Sequence, residues 1–440
     1  MDKNAYFKLH EGCFLINGAK NGAIYNLLDN EVYSLDGKVT KILKNVSKVQ
    51  SILEEAKKVN IQEKEIKKYL RELLKLGVAF LRENDIHIQK MKSSFAHKQD
   101  YFQEKAKLTS ITCELTTNCN LNCLHCSSNK PTILNCYCNR YHNEGSTLST
   151  GEWKKILINA SILGCNSVKF IGGEPFLFTD INQILDFCIK LKLKKISLFT
   201  NGTLINASHI NILKKSNATL IIPIYSHVPS IHDKISGKKG SFKKLIGNIS
   251  KLKKNMINVN ICLLLNTANY GTSEKTKRFI KKELGLEFTI DLIPPFNFNE
   301  MKANKNNHLN FKYKTYPIFN KTDLDSFSIR KKGNSCWIYQ AAIKSNGDVI
   351  PCIKARNMII GNIKNNTLYE MIINGSFDKY WFLSKDKIKT CKSCEFRYAC
   401  DDCRLIAFKY GKNLYQRYPL CSYDPYNGNW ENNFVKAIST

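Results

Sequence analysis

Apolar and polar positions change their period along the chain, and the changes divide it into three parts. Near the start, Gly12–Asn17, Ala23–Leu28 and Glu31–Leu35 are short β-type runs separated by Gly18, Gly22 and Asp29-Asn30, which predicts a small antiparallel meander. Ile66, Tyr69, Leu70, Leu73 and Leu74 then recur at helical spacing, with Gly77 as a stop, and a polar stretch, Gln89–Lys107, follows. From Leu108 to Pro295 strand and helix patterns alternate. Strands are expected at Thr109–Leu115, Ser167–Ile171, Lys195–Phe199, Thr219–Tyr225, Asn258–Leu265 and Phe288–Ile293, with helices between them such as Thr150–Leu163, Ile181–Leu191 and Phe242–Lys254. Such a run of six β/α units predicts parallel strands with outer helices. The remainder, residues 330–440, holds seven cysteines and no strong alternation, so it is expected to be loop-rich and to take part of its folding energy from metal sites. The expected domains are 1–90, 108–295 and 330–440.

Composition narrows the picture. A 440-residue chain that is 43% hydrophobic suits two or three domains. It has no uninterrupted apolar run of about 18 residues, so no transmembrane helix and no membrane partner are expected. The opening Met-Asp-Lys-Asn-Ala-Tyr-Phe-Lys lacks the apolar core of a signal peptide, and a cytoplasmic location is expected. Seventeen cysteines, an odd number gathered mostly in short-spaced groups, point to metal ligation, since disulfides need an oxidising compartment. The net charge of +30 fits a nucleic-acid or acidic-peptide partner. Lysines spread along helix faces in a chain rich in lysine and asparagine throughout make nucleic acid the less favoured partner; a general attraction to acidic peptides still follows.

The most informative group is Cys119, Cys123 and Cys126, spaced C-x3-C-x2-C with His125 just before the last cysteine. Three thiolates on one loop can hold three irons of a cubane cluster and leave the fourth open to a substrate or cofactor. The loop follows the first expected strand, and in barrel enzymes chemistry gathers at the C-terminal strand ends. Gly172-Gly173-Glu174-Pro175 follows the second strand; two glycines permit close approach of a ligand, and Glu174 offers an acceptor for an ammonium group. Alone this is also a plain turn; its place one β/α unit after the cysteines favours a ligand. Thr200-Asn201-Gly202, Tyr225-Ser226 and Asn266 end the third, fourth and fifth strands, and Ser226 and Asn266 fit simple caps as well. Cys136 and Cys138 suit a redox pair, a metal site or idle thiols. Cys13, Cys113, Cys165, Cys188 and Cys262 read as small core residues. Near the end, Cys336 and Cys352 precede Cys391-x2-Cys394-x5-Cys400-x2-Cys403, and Cys421 closes the series. Zinc is the competing occupant for such C-x2-C pairs.

The Cys119–Cys126 loop resembles the signature of the radical S-adenosylmethionine (radical SAM) enzymes, and the C-terminal array resembles the SPASM domain; together they cover roughly Leu108–Cys421. The resemblance implies an α/β fold: a partial, TIM-like (β/α)6 barrel followed by a loop-rich iron–sulfur SPASM domain. It implies that the open iron chelates the methionine moiety of S-adenosylmethionine, which one electron cleaves to a 5′-deoxyadenosyl radical that abstracts hydrogen. Gly172, Gly173, Glu174 and Pro175 would contact the methionine amine, and Asn201, Ser226 and Asn266 the ribose and carboxylate. His232-Asp233, Ser236-Gly237 and Gly240-Ser241-Phe242 resemble the family's segment after strand four, with His232-Asp233 structural. Of two auxiliary 4Fe–4S clusters, Cys391, Cys394, Cys400 and Cys421 would hold one and Cys336, Cys352 and Cys403 the other. Asp401-Asp402 make the last spacing one residue shorter than is common, and no extra cysteine stands between Cys336 and Cys352, so the second cluster is expected to have an iron free for a substrate thiolate. Beyond the cluster cysteines no catalytic residue stands out, and Asp401 and Asp402 remain unassigned.

The N-terminal strands and helices resemble a winged-helix module of the leader-peptide-recognition type, which captures a leader as an added strand. Tyr6-Phe7-Lys8-Leu9, Cys13, Ile224-Tyr225-Ser226-His227 and Ile231-His232-Asp233 resemble the grasp-with-spasm group of peptide maturases. The expected function is modification of a ribosomally made precursor peptide by hydrogen abstraction and oxidative crosslinking of the thioether type, with flavodoxin or ferredoxin as electron donor. The alternatives are peptide epimerisation, a sulfatase-maturase-like activity, and a basic DNA-binding regulator with an iron–sulfur sensor; the Gly-Gly-Glu-Pro turn and six β/α units argue against the last.

Overall fold

The computed structural model describes residues 2–92, 108–126, 147–266, 268–292, 318–319, 322–419 and 421–430. The chain forms two compact units, Met1–Glu104 with Leu309–Ile338 and Phe382–Thr440, and Lys105–His308 with Tyr339–Trp381.

In the first unit β1 (Tyr6–Leu9) is followed by β2 (Cys13–Asn17), β3 (Gly22–Asn26) and β4 (Glu31–Leu35), then by α1 (Gly37–Asn45), α2 (Val49–Lys58), α3 (Glu63–Lys75) and β5 (Ala79–Arg82). β2, β3 and β4 form the expected antiparallel meander, and β1 pairs antiparallel with β5. The Asp36 carboxylate caps α1 by accepting from the Lys38 and Val39 amides. Ile66, Leu70 and Leu73 of α3 are buried, as their spacing requires. One face of the meander, with Cys13, Ile24 and Leu35, packs on Val39, Ile42, Ile52, Ile66 and Leu70 of the helices. The other face, with Ala23, Tyr25 and Leu27, packs on Phe327, Tyr398 and Ala399 from the far end of the chain. β3 is consequently buried along its whole length. The Tyr25 hydroxyl donates to the Glu395 carbonyl (2.8 Å) and accepts from the Tyr398 amide (3.3 Å), and the Ala19 amide donates to the Ser393 carbonyl (2.7 Å). These bonds seat the cysteine-bearing stretch 391–403 on the N-terminal sheet.

In the second unit β6 (Ser110–Glu114), β7 (Ser167–Ile171), β8 (Lys195–Phe199), β9 (Thr219–Ile224), β10 (Val259–Leu265) and β11 (Phe288–Leu292) match the six expected strands to within one residue. They pair in parallel in that order. Between them run α4 (Thr150–Ile162), α5 (Ile181–Lys190), α6 (Ala207–Ser216), α7 (Pro229–Ser236) and α8 (Ser241–Lys254). Ser149 and Glu152 form a capping box at the start of α4. After β12 (Ile318–Phe319) of the first unit, β13 (Gln340–Ile343), β14 (Asp348–Ile350) and β15 (Gly361–Asn362) extend this sheet past β6, β13 in parallel and the other two antiparallel. This stretch was expected to be loop-rich; strands of two to four residues are too short to show an alternation. β11 and β15 are the two ends of the nine-stranded order, so among the described residues the sheet is not closed. All C-terminal ends of β6–β11 lie at one end.

Of the cysteines expected in cores, Cys13, Cys113, Cys165 and Cys188 are buried and Cys262 is partly exposed. Burial pushes their thiols up, to about 11 for Cys13, Cys165 and Cys262 and about 12 for Cys188, which makes them unreactive. Cys136 and Cys138 lie outside the described residues. Among the described residues no helix is long and apolar enough to cross a membrane.

Candidate functional site

Residues 116–126 leave β6 and cross the C-terminal end of the sheet. The Gly173 amide donates to the Thr116 carbonyl (2.8 Å) and the Glu174 amide to the Asn118 carbonyl (2.8 Å). On the other side the Asn122 and Leu124 amides donate to the carbonyls of Ser236 (3.0 Å) and Ile235 (2.8 Å) at the end of α7. The cysteine loop is thus clamped between the Gly-Gly-Glu-Pro turn and α7. A Cβ on Gly172 would lie 2.4 Å from the Thr116 carbonyl oxygen, and one on Gly173 would lie 2.2 Å from that of Asn118. What these glycines admit closely is therefore the cysteine loop itself. Gly237, at φ +67°, plays the same part on the α7 side, where a Cβ would meet the Asn122 oxygen at 2.1 Å.

Cys119, Cys123 and Cys126 gather with Leu121, Ile235 and Leu264 around the buried ring of Tyr225. The Tyr225 hydroxyl lies 3.6 Å from the Cys123 sulfur and 3.5 Å from His125 Nε2, and the His125 and Tyr225 rings meet edge to face at 5.1 Å. Burial, and then the cysteines, raise the Tyr225 phenol well above its ordinary value, so it keeps its proton and can donate. Burial lowers His125 to about 4, so its ring is neutral near pH 7. Among the described residues its buried Nδ1 has no hydrogen-bond partner, so a polar group of a ligand could bond there beside the three thiols. The sequence places Tyr225 with Ser226 at the end of the fourth strand but does not mark its hydroxyl as a partner of Cys123 and His125.

Asn201 faces the same loop. Its Nδ2 donates to Asn120 Oδ1 (2.8 Å) and lies 3.9 Å from the Cys119 sulfur, while its Oδ1 accepts from the Thr203 amide (2.9 Å). Glu174 is fully buried. Its Oε1 accepts from the Thr200 hydroxyl (2.7 Å) and the Phe176 amide (3.1 Å), and its Oε2 from the Asn201 amide (2.8 Å). Pro175 opens the short turn that follows. Glu174 therefore ties the ends of β7 and β8 together. Ser226 accepts from the Val228 amide (3.1 Å) and shares a hydrogen bond with the Thr272 hydroxyl (3.0 Å); Asn266 accepts from the Ala268 amide (2.9 Å). Asn269, which the sequence reading passed over, joins two strand ends by donating to the carbonyls of Tyr225 (2.6 Å) and Leu264 (2.7 Å). His232 and Asp233 have structural partners: the His232 Nδ1 accepts from the Tyr225 amide (3.4 Å), and Asp233 accepts from the amides of Gly240 and Phe242 at the start of α8.

Burial raises Glu174 to about 7 from the ordinary 4.5. Between those values the native state keeps a proton that the unfolded chain has released. The contribution of this group to stability is therefore full below the lower value and is lost as pH rises to the upper one. Relative to the parent, Glu174→Gln is expected to remove a loss of about 2 kcal/mol between about pH 5 and 7 in urea unfolding of the metal-free protein. An identical pH slope in variant and parent would refute this.

In the first unit Cys391 and Cys421 lie near enough to interact electrostatically with each other and with both Cys394 and Cys400. Beside them Asp402 pairs with Lys385 (2.7 Å) and with Arg404, whose Nε is 3.0 Å away. Two buried cations on one carboxylate leave a positive charge over, which thiolates ligating iron would balance; neutral thiols would not. Asp401 accepts from Arg330 through both oxygens (2.9 Å each) and from the Ser335 hydroxyl (2.6 Å). Both unassigned acids are thus committed to cations. Cys336 and Cys403 belong to the first unit and Cys352 to the second. Among the described residues no three His, Cys, Asp or Glu side chains converge on one point for a single metal ion; a cubane takes its thiolates on separate irons.

Residues 113–301 match the family model of the Radical SAM superfamily and residues 336–395 that of the SPASM iron–sulfur cluster-binding domain. The antilisterial bacteriocin subtilosin biosynthesis protein AlbA of Bacillus subtilis is 27% identical over 333 residues, 71% of this chain and 70% of that protein. The sporulation killing factor maturation protein SkfB of Bacillus subtilis is 28% identical over 163 residues, 36% of each. The crystal structure of Streptococcus suis SuiB bound to the precursor peptide SuiA has the same fold, with a TM-score of 0.52 at 17% identity, over 94% of this chain and 96% of that one.

Proposed function

We propose, from the premise that this chain belongs to the radical SAM superfamily and carries a SPASM domain, that it crosslinks a ribosomally made precursor peptide oxidatively, through a thioether. The observation that carries this reading is the gathering of Cys119, Cys123 and Cys126 around Tyr225, beside the unpartnered Nδ1 of His125. A peptide substrate is supported by the bacteriocin and killing-factor relatives and by the peptide-bound SuiB structure. When bound, the cluster and S-adenosylmethionine supply a 5′-deoxyadenosyl radical for hydrogen abstraction.

The residues around that group hold and orient. Cys119, Cys123 and Cys126 are its ligands. Gly172, Gly173, Glu174, Pro175, Asn201, Ser226 and Asn266 form the cofactor site. Glu174 acts within it by fixing the Asn201 backbone, and Ser226 and Asn266 by fixing their loops. Tyr225 donates its hydroxyl toward Cys123. Cys391, Cys394, Cys400 and Cys421 hold an auxiliary cluster.

The leader peptide adds as a strand to β4. Both faces of the meander are covered, and β2 is engaged by Lys90, which donates to the Cys13 carbonyl (2.7 Å), and by Arg397, which donates to that of Asn17 (2.8 Å). Among the described residues β4 is paired on one side only. The electron donor is a flavodoxin or ferredoxin, acidic partners that a charge of +30 attracts, and the reaction takes place in the cytoplasm.

The test is anaerobic incubation of reduced, iron-loaded protein with S-adenosylmethionine and any short peptide found to be encoded beside its gene. The expected products are 5′-deoxyadenosine and a peptide lighter by two hydrogens per crosslink. A peptide of unchanged mass but inverted residues would replace crosslinking by epimerisation. An unmodified peptide without 5′-deoxyadenosine would refute the reading.

A further inference from the structure

The group of charges beside the C-terminal cysteines has a role that packing does not explain. Arg404 is fully buried, and its guanidinium is occupied by Asp402 and by the carbonyls of Leu414 (2.9 Å) and Gln416 (2.7 Å). It closes the turn after helix Arg404–Gly411 and would do so in any fold of this shape. Lys385 is different. Its ammonium, also buried, is held by Asp402 at 2.7 Å and interacts with the Cys400 and Cys391 sulfurs. A lysine loses more side-chain entropy and hydration on burial than an apolar residue of the same size, so its retention needs an anion that outlasts Asp402, which Arg404 already neutralises. Of the other carboxylates nearby among the described residues, Asp401 is taken by Arg330 through both oxygens, and Glu395 interacts with Cys394 and is bonded to the Tyr423 hydroxyl.

We propose that Lys385 sets the reduction potential of the cluster held by Cys391, Cys394, Cys400 and Cys421, a proposal that rests on the reading of those four cysteines as its ligands. A cluster on four thiolates is anionic and gains a further negative charge on reduction. A fixed cation in a low-dielectric site therefore stabilises the reduced form more than the oxidised one and raises the potential. Asp402 holds the ammonium in place and offsets part of its field. Lys385 is a positioning residue in this sense: it touches neither peptide nor cofactor.

The experiment is a redox titration, followed by visible absorption and electron paramagnetic resonance, on full-length protein in which Cys119, Cys123 and Cys126 are alanine. Lys385→Gln is expected to shift the oxidised-to-reduced ratio at a fixed potential about tenfold toward oxidised, 59 mV for a one-electron couple. Lys385→Arg should restore the parental value, and Asp402→Asn should shift it the opposite way. Opposite signs from neighbouring substitutions cannot arise from loosened packing alone. A parental potential in Lys385→Gln with its iron retained overturns the proposal. If Lys385→Gln loses its iron, the sign of the Asp402→Asn shift decides instead, and a fall in potential overturns the proposal. Absence of iron that depends on Cys391, Cys394, Cys400 or Cys421 in the parent overturns the ligand reading beneath it.

Discussion

Replacing Cys123 with alanine is expected to bring 5′-deoxyadenosine formation down to the level of iron-free protein. It should also lower bound iron by one cluster's complement while iron at the C-terminal cysteines stays. The sulfur is buried with Leu121, Cys126, Tyr225 and Ile235. Loss of one thiolate from a three-cysteine set leaves two irons without protein ligands. The fold should survive, because the loop is held by its backbone bonds to the Gly-Gly-Glu-Pro turn and to α7, none of which involves the sulfur. Product formation at the parental rate, or parental iron content, would remove the basis for the proposed function.

Glu114→Ala is expected to cost the second unit about 3–5 kcal/mol in urea unfolding, the usual penalty for breaking a buried ion pair from one side. Glu114, at the end of β6, is fully enclosed. Its Oε1 accepts from Arg356 Nη1 at 2.6 Å, and its Oε2 from the Ser345 amide at 3.3 Å. The pair ties the first barrel strand to the stretch that carries Cys352, four residues before Arg356. Glu114→Gln, which keeps an acceptor but loses the charge, should cost less than Glu114→Ala. A loss below about 1 kcal/mol for the alanine variant would show that the pair contributes no more than an exposed one.

Much of the barrel was legible because its signals are local. Strands of five to seven residues recur six times with helical patterns between them, and strand bounds came out to within a residue. The gathering of Cys119, Cys123 and Cys126 was legible for a related reason: residues on one short loop need only the right spacing to meet, and spacing is written in sequence. His232 and Asp233 are structural as expected: they hold the Tyr225 amide and the amides of Gly240 and Phe242. Tyr225 and Asn269 were not legible. Each acts on groups distant in sequence, Tyr225 on Cys123 and His125, Asn269 on two strand ends, and neither has a local pattern that sets it apart from a core tyrosine or a loop asparagine.

By itself, then, the sequence determined the period of each element, the order of the β/α units and the spacing of the cysteine groups, because each of these depends on neighbours a few residues apart. Tertiary structure alone decided that the N-terminal meander is covered on one face by residues near Tyr398, that β13–β15 prolong the barrel sheet, and that Glu174 is enclosed as a tie between strand ends. It also put Lys385 beside Cys391 and Cys400. Each of these depends on which distant surfaces exclude water together, and burial of that kind fixes both the partners and the charge state of a side chain without leaving a periodic mark in the chain that carries it.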